Sequence, residues 1–250
     1  MQPFGVASRT VFRHHAAMLN AILFDLDGTL VDTDTAHFAI WQRLLADRGL
    51  TIDLDFYKAR VSGRTNAQIL ADILPELSEA EAVSFSELKE RQFRESANLE
   101  RLTGLDRLLA WCRDREIRRA VVTNAPRDNA IHMLDVLGLM AADHRPEDNE
   151  FETLVLAEEL PRGKPFPDPY LEGLRRLGTV AAETIAFEDT PTGVQSAVAA
   201  GLTTLGVRTT YDAETLTVAG ATLTIAHFDD PQLWSWLEIR SGTPGRGVVQ

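Results

Sequence analysis

In the string FDLDGTLVD an apolar run, AILF, delivers two aspartates, Asp25 and Asp27, into a turn at Gly28. Carboxylates one residue apart at a strand end repel each other unless they share a cation or a proton. Such a pair suits divalent-cation binding or acid-base work, and it is costly to keep for structure alone. The plain alternative is an Asp-Gly turn without chemistry. Three more strings carry polar groups at comparable places. VVTN (residues 121–124) ends an apolar run on the hydroxyl of Thr123, beside Asn124. Lys164 stands in GKPFPDPY, just before Pro165, Pro167 and the helix-starting Asp168, and FEDTPTG contributes Glu188 and Asp189.

Short apolar runs alternate with amphipathic segments from Ala21 onward, the mark of β-α units in a parallel sheet. AILF, AVV, TIAF, TTLGV and TLTI are the expected strands, apolar at successive positions and so buried on both faces. Expected helices cover residues 105–115, 128–137, 170–177 and 194–200, the last stopped by Gly201. Residues 33–102 break this rhythm with helical periodicity and no clear strand. Within them, Ser78 and Glu81 fit a capping box opening a long charged helix. The fold class is therefore α/β: a Rossmann-like parallel-sheet core over residues 21–32 and 103–240, with an inserted all-helical cap over residues 33–102. An insertion leaving the first strand lies over the carboxyl ends of the strands, where open α/β sheets bind ligands.

The four strings, by order, strand-end position and spacing, resemble the haloacid dehalogenase superfamily over residues 21–239. The helical insertion resembles the cap of the branch holding β-phosphoglucomutase, phosphoglycolate phosphatase and sugar phosphatases. This resemblance implies an aspartate-based phosphohydrolase. Asp25 would attack phosphorus and form an aspartyl-phosphate, while Asp27 serves as acid for the leaving alcohol and base for water. It further implies Mg²⁺ held by the Asp25 carboxylate, the Asp27 backbone carbonyl and Asp189, with Glu188 a direct or an indirect ligand. Lys164 would bridge nucleophile and phosphate, and the Thr123 hydroxyl and Asn124 N–H would donate to the phosphoryl oxygens. Asp27 disfavours dehalogenation, because the dehalogenases lack that second aspartate.

In the cap, His37 and Trp41 match by spacing the hinge of β-phosphoglucomutase-like proteins, against the alternative of a packed helix histidine; Thr33 also fits. Arg60 and Arg64 resemble basic residues that reach the distal part of a phosphosugar, against the alternative of surface charge. Arg127 and Asn129, following the second string, could face the cap, against the preferred alternative of exposed residues at a helix start. The implied partner is a small phosphorylated metabolite, most simply a sugar phosphate. A phosphomutase using the same aspartates is the nearest alternative, and a non-catalytic phosphometabolite sensor is a third.

Composition narrows the class further. The chain has 250 residues and a net charge of -12, which opposes a nucleic-acid partner, since polyanion binding needs clustered Lys and Arg. No apolar run reaches the ~20 residues of a membrane-spanning helix. The single cysteine, Cys112, shares the apolar side of LDRLLAWC with Leu105, Leu108 and Leu109. One thiol makes no internal disulfide, and a reduced, cytoplasmic setting fits it. Residues 1–20 lack a secretory pattern and read as a disordered extension, and the Gly-rich residues 241–250 as a loose tail. A monomer or small homo-oligomer is expected.

Overall fold

Strands that are apolar at every position have no face to wet, so helices must cover both sides of their sheet. A computed structural model describes residues 18–96, 98–140 and 149–240. It shows six strands: β1 (Ala21–Phe24), β2 (Arg118–Thr123), β3 (Thr153–Leu156), β4 (Thr184–Glu188), β5 (Thr203–Val207) and β6 (Leu223–Ile225). All pair in parallel, in the order β3-β2-β1-β4-β5-β6. Alternate residues of β1 serve opposite faces. Ile22 and Phe24 join a cluster with Leu105, Leu108 and Cys112 of α5 (Leu105–Arg113), Met133 of α6 (Arg127–Val136) and Leu233 of α10 (Pro231–Arg240). Ala21 and Leu23 join another with Tyr170, Leu174 and Leu177 of α7 (Asp168–Leu177) and Ala197 of α8 (Pro191–Ala199). Phe24 stacks on Phe187 at 5.4 Å between ring centroids, so β1 and β4 are also locked through their side chains.

Strand order reverses between β1 and β4, and that reversal opens a crevice at the carboxyl ends. Asp25 follows β1 there, with its N–H donating to Phe187 O at 3.0 Å. Four helices intervene between β1 and α5: α1 (Asp34–Ala46), α2 (Leu54–Arg60), α3 (Asn66–Ile73) and α4 (Glu79–Ser96). Trp41 of α1 stacks on Phe85 of α4, their centroids 5.8 Å apart. Ser78 and Glu81 cap α4 reciprocally, Ser78 N–H donating to Glu81 Oε2 at 2.9 Å. Thr65 and Gln68 form a second capping box on α3 that the sequence pattern did not single out.

Helix α7 begins at Asp168, the residue read as its start, whereas α6 and α8 begin before the onset suggested by apolar periodicity, at Arg127 and Pro191. Their first turns are polar or proline, which suits orphan N–H groups but carries no periodic signal. Strand β3 and helices α9 (Ala213–Ala219) and α10 were not anticipated. The expectations for residues 1–17 and 241–250 lie outside the described residues. Among the described residues, no helix is long and apolar enough to cross a membrane.

Candidate active site

The crevice between β1 and β4 draws its polar groups from four strand-end segments. Asp25 is 7% exposed, Lys164 5% and Asp189 2%, so all three charges stand almost out of water. Buried charges survive only when paired or hydrogen-bonded. The Lys164 ammonium spends its three protons on Asp25 Oδ1 at 2.5 Å, Glu188 Oε1 at 2.6 Å and Val122 O at 2.9 Å. Tyr170 OH also donates to Glu188 Oε1, at 2.5 Å. The Lys164 backbone is fixed in turn, its N–H donating to Asn124 Oδ1 at 3.2 Å.

Three carboxylates, those of Asp25, Glu188 and Asp189, bring one oxygen each within 4.8 Å of one another. Burial pushes the Asp25 carboxyl up to about 7, against the pull of Lys164, with Glu188 adding to the rise. Burial likewise raises Asp189 well above the usual carboxylate range, Asp25 and Glu188 reinforcing it. For Lys164 burial works downward, yet Asp25 and Glu188 outweigh it and keep the ammonium charged. Two buried oxygens, Glu188 Oε2 and Asp189 Oδ1, have no hydrogen-bond partner among the described residues. A hard divalent cation needs oxygen donors of this kind, so the residues present fit one.

Glycines make room for the cluster. A Cβ on Gly28 would meet Asp189 Oδ2 at 2.0 Å, and one on Gly193 would meet Glu188 Oε2 at 1.9 Å. Thr210 holds the other side of Asp189, its hydroxyl donating to Oδ2 at 2.5 Å.

Asp27 is set apart from this cluster. Its Oδ1 accepts from the Thr33 hydroxyl at 2.7 Å and meets His37 Nε2 at 3.1 Å. Burial opposes ionisation, but the hydrogen bonds from His37 and Thr33 hold Asp27 below its ordinary value. His37 Nδ1 lies 2.9 Å from Lys89 Nζ. An ammonium can only donate, so Nδ1 accepts and Nε2 is left to donate toward Asp27. The ring also stacks on Phe93 at 4.2 Å. His37 is thus both packed and joined to the site.

A cavity of about 410 Å³ unites Asp25, Asp27, Thr33, His37, Trp41, Arg64, Thr123, Asn124, Lys164 and Asp189. Glu188 is fully buried beneath it, reached through Lys164. Thr123 Oγ1 accepts from Ala125 N–H at 2.9 Å, which leaves the hydroxyl proton to donate elsewhere. The Asn124 Nδ2 group is buried without a partner among the described residues.

Two expectations are corrected. Arg60 does not line the cavity: its guanidinium forks onto Asp72, with two bonds of 2.8 Å. Asn129 is 1% exposed rather than a solvated helix-start residue, because α4 packs over it: Arg94 donates to its Oδ1 at 2.6 Å, and its Nδ2 donates to Glu90 Oε2. Arg127 does lie half-exposed, paired with Glu159. Tyr170, Thr210, Asn66, Lys89 and Glu90 were missed by sequence reasoning. The tyrosine in GKPFPDPY, following the singled-out lysine, was the one available signal.

A family model described as haloacid dehalogenase-like hydrolase matches residues 22–207. Validoxylamine A 7'-phosphate phosphatase of Streptomyces hygroscopicus subsp. limoneus is 29% identical over 213 residues, covering 82% of this chain and 93% of its own. Hexitol phosphatase A of Escherichia coli (strain K12) is 33% identical over 191 residues, 76% of this chain and 83% of its own. A crystal structure of β-phosphoglucomutase from Clostridium difficile superposes with a TM-score of 0.75 at 25% identity, covering 90% of this chain and 98% of that one.

Proposed function

Since the chain belongs to the haloacid dehalogenase-like hydrolases, we propose that it is a phosphoric monoester hydrolase releasing phosphate from small phosphorylated sugars, with Asp25 as nucleophile and Mg²⁺ as its cation. The observation that carries this reading is the buried Lys164–Asp25 pair at the strand reversal, 2.5 Å long and flanked by Asp27. The names of two relatives, validoxylamine A 7'-phosphate phosphatase and hexitol phosphatase A, support the substrate class.

Lys164 occupies Oδ1 of Asp25 and leaves Oδ2 to attack phosphorus in line. The P–O bond to the sugar breaks as the Asp25–phosphorus bond forms, and the departing oxygen takes a proton from Asp27. Without substrate, His37 and Thr33 keep Asp27 ionised. An approaching phosphate dianion raises its affinity for that proton. Asp27, again a carboxylate, then takes a proton from water, which attacks phosphorus and frees Asp25. The Thr123 hydroxyl and the Asn124 amide are the neutral donors to the phosphoryl oxygens, and Lys164 is the fixed cation. Asp25, Asp189 and the Asp27 carbonyl would hold Mg²⁺, with Glu188 beside them; when bound, the ion offsets phosphoryl charge. Helices α1 to α4, over residues 33–102, act as the cap that excludes water and surveys the sugar.

Incubation with glucose 6-phosphate, fructose 1-phosphate and Mg²⁺ is expected to release inorganic phosphate, read by a molybdate assay. Formation of an isomeric sugar phosphate without free phosphate would overturn the hydrolase reading.

The cation carries a pH signature. Asp25 and Asp189 titrate higher in the folded chain than the ~3.9 of an unfolded aspartate, so the cation-free protein holds extra protons above pH ~4. Stability without cation therefore falls as pH rises toward 7, because the unfolded chain sheds those protons first. A bound cation cancels that loss. Thermal denaturation with 10 mM Mg²⁺ against EDTA should show a Tm gap of about 5 °C at pH 8 and little gap at pH 5. An equal gap at both pH values would contradict the cation assignment.

A further inference from the structure

One tyrosine reaches the site from behind the sheet. Tyr170, in the first turn of α7, is fully buried and does not line the cavity, so it cannot touch a substrate. Its ring packs in the cluster that holds Leu23, Val122 and Val155, on the face of the sheet away from α5, α6 and α10. Only the hydroxyl arrives at the strand ends, where it donates to Glu188 Oε1 at 2.5 Å. The Lys164 ammonium lies 5.3 Å from the centroid of the same ring. A buried tyrosine hydroxyl needs an acceptor. That need alone does not explain why the acceptor is a carboxylate of the cation cluster.

The two oxygens of Glu188 are treated differently. Oε1 takes both donors, Lys164 at 2.6 Å and Tyr170 at 2.5 Å, while Oε2 has none among the described residues. The donors differ as well. Lys164 also holds Asp25 and, in the proposed reaction, turns toward the phosphoryl group, so its bond to Glu188 is shared with the chemistry. The Tyr170 hydroxyl has a single proton to give, and Glu188 receives it. Tyr170 is therefore the donor that stays in place when Lys164 changes partners. It keeps Oε1 occupied and leaves Oε2 as the oxygen available to a cation. A carboxylate held before the cation arrives has little rotamer freedom left to lose on binding it.

Resting on the hydrolase reading for the identity of its cation, we propose that Tyr170 is a positioning residue: its hydroxyl fixes Glu188 so that the oxygens of Asp25, Glu188 and Asp189 are preformed for Mg²⁺. The competing role is a structural one, in which the hydroxyl does no more than satisfy its own burial.

Tyr170→Phe keeps the ring and its packing and removes the donor. The Kd for Mg²⁺, read from the dependence of Tm on Mg²⁺ at pH 8, should rise about tenfold, the scale on which loss of a partner behind a metal-binding carboxylate is felt. The rate should need correspondingly more Mg²⁺ and approach the wild-type kcat once the ion saturates. A structural role would lower Tm in EDTA and leave the Kd where it is, overturning the proposal. Glu188→Gln retains an Oε1 that accepts from both donors but puts an amide in place of Oε2, so its Kd should rise at least as much. An unchanged Kd in that variant would overturn the proposal whether or not Tyr170→Phe folds. In the double variant the tyrosine change should add little, because it acts through the residue already altered; full additivity would also overturn it. Absence of phosphate release from glucose 6-phosphate, fructose 1-phosphate and p-nitrophenyl phosphate would remove the hydrolase reading, while the shift in Kd would still uphold Tyr170 as a positioning residue. Turnover without that shift removes the role of Tyr170 alone.

Discussion

Asp25→Asn is expected to lower kcat on every phosphomonoester by about 10⁴-fold or more, the scale on which loss of a covalent nucleophile is felt. Asparagine retains the shape of the side chain, and its Oδ1 can still accept from Lys164 Nζ, so the pocket should persist. Its amide has neither the charge nor the free lone pair to attack phosphorus. Stability separates this chemical loss from misfolding. Burial makes an ionised Asp25 costly in the cation-free chain, as its rise to about 7 records. Removing that charge should leave the EDTA-treated variant at pH 8 no less stable than wild type, while its gain from Mg²⁺ falls. Phosphate-release kinetics and thermal denaturation on one preparation check both halves. Turnover within tenfold of wild type would remove Asp25 as nucleophile.

The charge-bearing strand ends were legible in the sequence because chemistry and local structure coincide there. An apolar run that ends in a carboxylate or a hydroxyl announces both a buried strand and a residue at its carboxyl end, as with Phe24–Asp25, Val122–Thr123 and Phe187–Glu188. The cavity does gather Asp25, Asp27, Thr123, Lys164 and Asp189, with Asp25 and Lys164 alone 139 residues apart in the chain. The cap side was poorly legible for a physical reason. Helix α4 reads KERQFRES, a charged string that suggests a solvated face, yet Lys89 and Glu90 are buried by α1 and α6 packing on it. Periodicity records hydrophobic faces and cannot mark a buried ion pair whose partners, His37 and Asn129, lie 52 and 39 residues away. Strand β3 escaped notice because it is only four residues long and half of it is incompletely buried. Thr210 stands just beyond β5 with no local pattern, though it fixes Asp189.

Gly193→Ala isolates a different layer of the site, since the residue touches no substrate yet determines where Glu188 can stand. Helix propensity alone favours alanine by about 1 kcal/mol within a helix such as α8. Sterics oppose it more strongly: the new Cβ would lie 1.9 Å from Glu188 Oε2 and 2.2 Å from Oε1. Neither partner can withdraw easily. Glu188 is fully buried and tied through Oε1 to Lys164 and Tyr170. Helix α8 is anchored by its Thr190 cap on the Gly193 N–H at 3.1 Å and by buried Val194 and Ala197. Overpacking of this kind costs about 1–3 kcal/mol, which the gain in helix propensity does not offset. Tm should therefore fall by about 5 °C. Displacing Glu188 also unbalances Lys164, whose remaining carboxylate partner is Asp25, and disturbs the oxygens grouped with Asp189 for the cation. A shift in such outer contacts commonly costs 10- to 100-fold in metal affinity or activity. kcat/KM should fall about 100-fold at low Mg²⁺ and recover in part as Mg²⁺ is raised, which a titration of rate against Mg²⁺ reads directly. Wild-type Tm and an unchanged Mg²⁺ requirement would mean that Glu188 can move without consequence, and its place in the cation cluster would have to be given up.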